Sequence, residues 1–233
     1  IEPDLGSSLV FFAILLVMMW VSGIPRKRML GLFGILLVII AFIFWDLYVS
    51  TGGFDHMAEN LVVPLPMKTY QLMRLVIFIN PYMDPLDTGY HIIQSQVAIG
   101  SGGLFGKGFG QGSQVQSNFL PEHHTDFIFS VVGEEFGLIG CLILLLIFGV
   151  IIYRCLTIAF NAADMFGTLI VSGITIMFTF QIFVNIGMTI GIMPITGLTL
   201  PFMSYGGTSM LMTMLAIGLV LSVNIRSQKH IFI

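Results

Sequence analysis

The sequence predicts an all-α protein: a polytopic bundle of five transmembrane helices carrying one long extracytoplasmic loop. Three observations support this. Of 233 residues, 56% are hydrophobic and only 9% charged, against roughly 25% charged in a soluble domain. Several apolar runs approach the ~20 residues that a helix needs to cross a hydrocarbon core of about 30 Å. The basic residues gather at the ends of those runs, as loop charges of a membrane protein do. The formal net charge of −3 says little beside that placement, and nothing in it points to nucleic acid as a partner.

The first two spans are expected at 5–24 and 29–49. The tight connector between them, Pro25-Arg26-Lys27-Arg28, is the densest basic cluster in the chain, and the positive-inside rule places it in the cytoplasm. Further spans are expected at 136–160, 165–187 and 208–223. Alternation then puts Arg154, Arg226, Lys229 and His230 on the cytoplasmic side without their having been used to set it. Cys141 and Cys155 fall in one run, about 21 Å apart along a helix, too far for a disulfide; they read as apolar packing residues. The chain opens at Ile1 with no initiator Met and no visible signal peptide, and is expected to be truncated at its N-terminus.

Three regions follow: two spans in 1–49, an outer loop over 50–135, and three spans with a cytoplasmic tail in 136–233. The last region contains a re-entrant outer turn near 188–207. A connection of about 85 residues far exceeds what neighbouring helices need, and such loops usually carry function. Within it, 72–79 and 92–105 are apolar but too short to span, so interfacial or re-entrant helices are expected.

The glycine-rich run GSGGLFGKGFGQGS at 100–113 invites a phosphate-loop reading, since freed backbone N–H groups can cradle phosphate oxygens. The Walker pattern fails, because Ser101 stands where its first glycine belongs and Gly108 replaces the Ser or Thr that holds magnesium. What remains is a close-packed, tightly turning segment, with a diphosphate contact through Lys107 as the functional alternative.

The patch PEHHTDFIF at 121–129 is the most charged. Glu122, His123, His124 and Asp126 offer metal ligands, but neighbouring positions rarely converge on one ion without help from elsewhere. The plain alternative is that Thr125 or Asp126 caps a helix. A straight helix from Asp126 to Phe160 would be about 50 Å long, so either Asp126 overhangs the membrane or the helix breaks near Gly133 and Gly137. Glu134 and Glu135 then lie near the lipid boundary, where a carboxylate needs a partner or water, and a wet cleft is expected. Arg74 interrupts an apolar run and either anchors at the interface or pairs with Asp84 or Asp87. Gln181 and Asn185 share a helix face suited to interhelical hydrogen bonds. The segment GIMPITGLTLPFMSYGGTS at 191–209, with Pro194 and Pro201, breaks helical geometry at membrane depth, which is tolerated only against protein or water.

Taken together, PDLGS (3–7), NPYMDP (80–85), GYHIIQSQVAIGSGG (89–103), LPEHHTDFIFSVVGEE (120–135) and PITGLTLPFMSYGGTS (194–209) resemble the RodA/FtsW/SpoVE family, in order and spacing, along essentially the whole chain. The segment 89–103 is more similar to RodA than to FtsW. At Glu2 the chain departs from the family, in which glutamine commonly precedes Pro-Asp-Leu-Gly. The resemblance implies a ten-span fold of which these are spans six to ten. It implies a peptidoglycan glycosyltransferase that polymerises lipid II outside the cytoplasmic membrane, releasing undecaprenyl diphosphate. The implied partners are a class B penicillin-binding transpeptidase and other elongation or division machinery.

The family's essential loop aspartate falls on Asp126. Attack of a sugar hydroxyl on C1 of a second lipid-linked sugar needs a base, and Asp126 is the expected one. The expected substrate-binding residues are Arg74, Lys107, Glu122, His124, Glu134, Glu135 and Ser204. The leaving diphosphate gives a use for Arg74, Lys107, glycine N–H groups or a divalent cation, magnesium or manganese, held partly by carboxylates. The metal's ligands are left open. A lipid II flippase is the competing reading, favoured by polar residues within the spans, and a scaffold for the transpeptidase is a third.

Overall fold

A computed structural model describes residues 5–51, 77–78, 88–113 and 125–229. The helices are α1 (Leu5–Val21), α2 (Arg26–Thr51), α3 (Thr88–Gly102), α4 (Ile128–Phe160), α5 (Met165–Thr189) and α6 (Gly207–Lys229). The described residues contain no strand. Ile128–Phe160, Met165–Thr189 and Gly207–Ser227 are long and apolar enough to cross a membrane, with mean hydropathies of 2.8, 2.0 and 1.8. α1 is apolar but shorter, at 17 residues.

α5 is the hub: α1, α4 and α6 pack on it, and α3 lies along α4 and touches α5. Small residues allow these approaches. Gly173 of α5 faces Ile14 and Met18 of α1, and Gly167 faces Val223 of α6. Where no side chain intervenes, helices in lipid gain van der Waals contact that the solvent does not otherwise supply. The core joins Phe129, Cys141 and Phe148 of α4 to Phe178 and Ile182 of α5, with Leu200 and Ala216 closing it. Cys141 and Cys155 are buried, free thiols, as their apolar setting led one to expect. The opposite face of α4 exposes Leu138, Leu142, Ile143 and Leu146, a surface that suits lipid and not water.

The ends of the bundle are defined by contacts. A cavity of about 460 Å³ is lined by Trp20 and Val21 at the end of α1, by Leu156 and Phe160 at the end of α4, and by Thr168 near the start of α5. The basic turn after α1 and the turn between α4 and α5 therefore share one end. At that end Asp164 caps α5, its Oδ1 accepting from Gly167 N at 3.0 Å. At the other end Gly6 of α1 is packed against the Thr196 carbonyl and Leu198.

Helix α1 ends at Val21, short of 24, and three helices run past their expected bounds by three residues or more. α4 starts at Ile128 rather than near 136, α6 runs on to Lys229 rather than 223, and α2 already begins at Arg26. In each case polar or charged residues continue a helix beyond its apolar stretch, which hydropathy alone does not register. The segment expected to lie at the interface, 92–105, is a helix from Thr88 that packs along α4. Of the other expected interfacial stretch, 72–79, only Ile77 and Phe78 are described, both helical and Ile77 buried.

Candidate active site at the Asp126 turn

α4 does break where its glycines suggested. Gly137 has φ 66° and ψ −163°, a conformation essentially reserved for glycine. The break separates the Glu134 and Glu135 carbonyls from the Leu138 and Ile139 amides that would ordinarily bond to them. The glycine-rich segment after α3 fills that gap. Lys107 N and Gly108 N donate to the Glu134 and Glu135 carbonyls, both at 3.0 Å, while the Gly103 and Leu104 carbonyls accept from Leu138 N and Ile139 N at 2.9 and 3.2 Å. Each lost helical bond is thus replaced by two to the loop. Such contact leaves no room for side chains: a methyl group at Gly102 would overlap the Gly133 carbonyl, and one at Gly106 the Glu135 carbonyl.

The same splice buries a charge pair. Glu134 is 0% exposed and pairs with Lys107 Nζ at 2.7 Å. Ser113 Oγ accepts from Lys107 Nζ at 2.7 Å and donates to Glu134 Oε1 at 3.0 Å. Glu134 and Glu135, expected to border a wet cleft, are both buried, and Glu134 meets Lys107 through Oε1. Lys107, expected to meet a diphosphate, directs its ammonium at Glu134 instead.

Asp126 lies eight positions earlier, on the turn that leads into α4, and is half-buried. The N-cap position of α4 is Phe127, which makes no side-chain cap, so neither Thr125 nor Asp126 occupies that cap. The backbone of the turn is instead held by two side chains from elsewhere. Asn185 Nδ2 donates to the Asp126 carbonyl at 2.9 Å and to the Leu198 carbonyl at 2.7 Å. Two carbonyl acceptors on one nitrogen fix which way the amide faces. Ser204 Oγ donates to the Thr125 carbonyl at 2.6 Å and accepts from Leu200 N at 2.7 Å.

Both clamps tie the turn to the irregular segment between α5 and α6. Within that segment Phe202 holds φ 65°, rare for an aromatic residue, and packs on Phe178 with centroids 5.7 Å apart. Gly197, at φ 73°, places its backbone against Asp126: a methyl group there would sit 3.8 Å from Oδ2. The re-entrant segment expected at 188–207 therefore lines the aspartate.

Ser204 was expected to bind substrate. Its hydroxyl donates one hydrogen bond and accepts one within the fold, and so ties the Asp126 turn to the segment that carries it. Asn185, expected to join helices, joins two loops instead; its Oδ1 is buried with no hydrogen-bond partner among the described residues. His91 of α3 was not anticipated at all. Its ring stacks on Phe127, beside Asp126, at 6.0 Å and 26°, and its Nδ1 is buried without a partner among the described residues. Beneath it, Ser95 Oγ meets Ser130 Oγ at 2.6 Å and donates to the Thr189 carbonyl at 2.7 Å, joining α3, α4 and α5. These residues lie within the quoted motifs at 89–103 and 120–135, but nothing in either stretch says that they meet each other across helices. Arg74, Glu122, His123 and His124 lie outside the described residues, among which no group of three or more metal-ligating side chains forms.

A model of the FtsW/RodA/SpoVE family, described as cell cycle protein, matches residues 1–229. The chain belongs to this family. It is 35% identical over 277 aligned positions to the peptidoglycan glycosyltransferase RodA of Treponema pallidum, covering 97% of this chain and 64% of that protein. It is 40% identical over 223 to the peptidoglycan glycosyltransferase MrdB of Escherichia coli K12, covering 96% and 55%. A solved chain from a peptidoglycan synthase complex, in work on structural coordination of polymerization and crosslinking, superposes with a TM-score of 0.69 at 33% identity, covering 97% of this chain and 57% of that one. The chain thus spans between about half and two thirds of the length of these family members. Family membership and the three long apolar helices together make it a membrane protein.

Proposed function

We propose that this chain carries the catalytic turn of a membrane glycosyltransferase that polymerises lipid II into glycan strands, with Asp126 as the general base. The observation that carries this reading is the Asp126 turn. A half-buried carboxylate sits on a segment whose two carbonyls, at 125 and 126, are clamped by Ser204 and Asn185. A base must lie within hydrogen-bond reach of the proton it removes, and a site held by locked side chains keeps that geometry better than a loose loop does. The names of the family members above, peptidoglycan glycosyltransferases, support the reaction class.

In this reading the chain supplies the last five of ten spans. Regions 1–49 and 136–233 are spans six, seven and eight to ten, and 50–135 faces outward. The Asp126 carboxylate takes the proton from the attacking sugar hydroxyl as undecaprenyl diphosphate leaves the other sugar's C1. Lys107 is engaged with Glu134, so charge for the diphosphate falls to Arg74, to Glu122 and His124 through a divalent cation such as magnesium or manganese, or to free backbone N–H groups. The partner is a class B penicillin-binding transpeptidase, a reading supported by the synthase complex to which the chain is similar.

The test reconstitutes the full-length protein with lipid II and its partner transpeptidase and follows glycan strand length. Asp126→Ala is expected to abolish strand formation while leaving the protein folded. Strands of unchanged yield would reject the assignment, and translocation of lipid II that survives the change would favour a flippase.

A further inference from the structure

Asn185 and Ser204 hold the Asp126 turn by its carbonyls, from α5 and from the segment beyond it. α3 meets the same turn with a second pair of side chains. His91 and Ser95, one helical turn apart, face Phe127 and Ser130: the His91 and Phe127 rings stack with centroids 6.0 Å apart at 26°, and the two hydroxyls lie 2.6 Å apart. We infer that His91 is a positioning residue of the site, its ring fixing Phe127 and, through it, the backbone from which the Asp126 side chain projects. The inference rests on the reading of Asp126 as the base.

Phe127 is the handle on that backbone. It is bonded directly to Asp126, it stands where the chain enters α4 with φ −105° and ψ 23° and no side-chain cap, and its ring is only 3% exposed. A ring can position its neighbour only if it is itself fixed, and α3 is fixed. Ser95 Oγ donates to the Thr189 carbonyl at 2.7 Å and Gln96 Nε2 to the Ile190 carbonyl at 3.3 Å, which ties α3 to the end of α5, the helix that also supplies Asn185. His91, Asn185 and the Asp126 turn therefore belong to one frame. The contact with Phe127 is made by the face of the imidazole and not by its nitrogen. Nδ1 is buried without a hydrogen-bond partner among the described residues, an arrangement that costs stability and that a phenyl ring would avoid while stacking in the same place. Releasing Phe127 would let Asp126 move with it, and a misplacement of about 1 Å at a reacting group can cost up to ~100-fold in rate.

The experiment measures kcat and KM for lipid II with the full-length protein and its partner transpeptidase, per folded protein and below the thermal midpoint of every variant. His91→Ala is expected to lower kcat about tenfold or more with little change in KM. His91→Phe, which keeps a ring and drops the nitrogen, is expected to restore most of that rate and to melt no earlier than the unsubstituted protein. A lowered midpoint in His91→Ala with kcat unchanged would overturn the inference, because the ring would then serve packing alone. So would His91→Phe as slow as His91→Ala, which would make the nitrogen the working part. A double-mutant cycle tests the route through Phe127: Phe127→Leu is expected to lose a similar share of kcat, and combining it with His91→Ala to lose no more than the worse single change. Losses that multiply would overturn the coupling. Asp126→Ala separates the two readings. Strands formed by Asp126→Ala would reject the base and this inference with it, whereas an inactive Asp126→Ala beside a fully active His91→Ala would reject the role of His91 alone.

Discussion

Two irregular turns bracket the first segment of α4, and they are held by opposite means. At Gly137 the repair is made by backbone: four main-chain bonds from the glycine-rich loop replace those the break removes. At Asp126 the backbone is held by side chains, Asn185 and Ser204, reaching from α5 and from the segment beyond it. The first solution depends on the absence of side chains and the second on two particular ones. A backbone splice is rigid and indifferent to chemistry; a side-chain clamp fixes the backbone that carries the Asp126 carboxylate. In the proposed reading, the Gly137 break serves stability and the Asp126 turn serves function.

Substitutions can break or sharpen that division. Gly137→Ala forces a side chain into a glycine-only conformation against the loop, and is expected to cost about 3 kcal/mol or more, read as a large drop in thermal midpoint in detergent. Lys107→Ala strands the fully buried Glu134 carboxylate, with an expected cost of about 3 kcal/mol. Adding Glu134→Gln to Lys107→Met should recover much of that, and a double variant no better than the single one would argue against the pair. Asn185→Ala frees two carbonyls, for about 2 kcal/mol, yet polymerisation by the folded fraction should fall further than this stability loss explains. Ser204→Ala is expected to be the mildest, about 1 kcal/mol, again with activity falling more than the thermal midpoint. If the Gly137 variants instead left stability intact and removed activity, the division would be reversed.

Much of this was legible in the chain. Hydropathy located α4, α5 and α6, and helix length together with Gly133 and Gly137 announced a break in α4. The failed Walker pattern left a close-packed glycine turn, and that is what the loop forms. The partners were not legible. Glu134 looked like a lipid-edge carboxylate in need of water, and nothing in 100–113 says that Lys107 will reach it. Ser204 was read as a substrate contact, and nothing in the sequence says that its hydroxyl meets the Thr125 carbonyl. His91 was not singled out, and Asn185 read as a bundle contact.

By itself, then, the sequence determined a membrane protein of this family, because apolar run length is a local property that the solvent enforces and the motifs are written consecutively. Only the tertiary structure decided which carbonyl each side chain and each glycine-loop amide meets. Those pairings join residues as far apart as Thr125 and Ser204, or Lys107 and Glu134. They are set by how α3, α4 and α5 pack, which no single stretch of chain encodes.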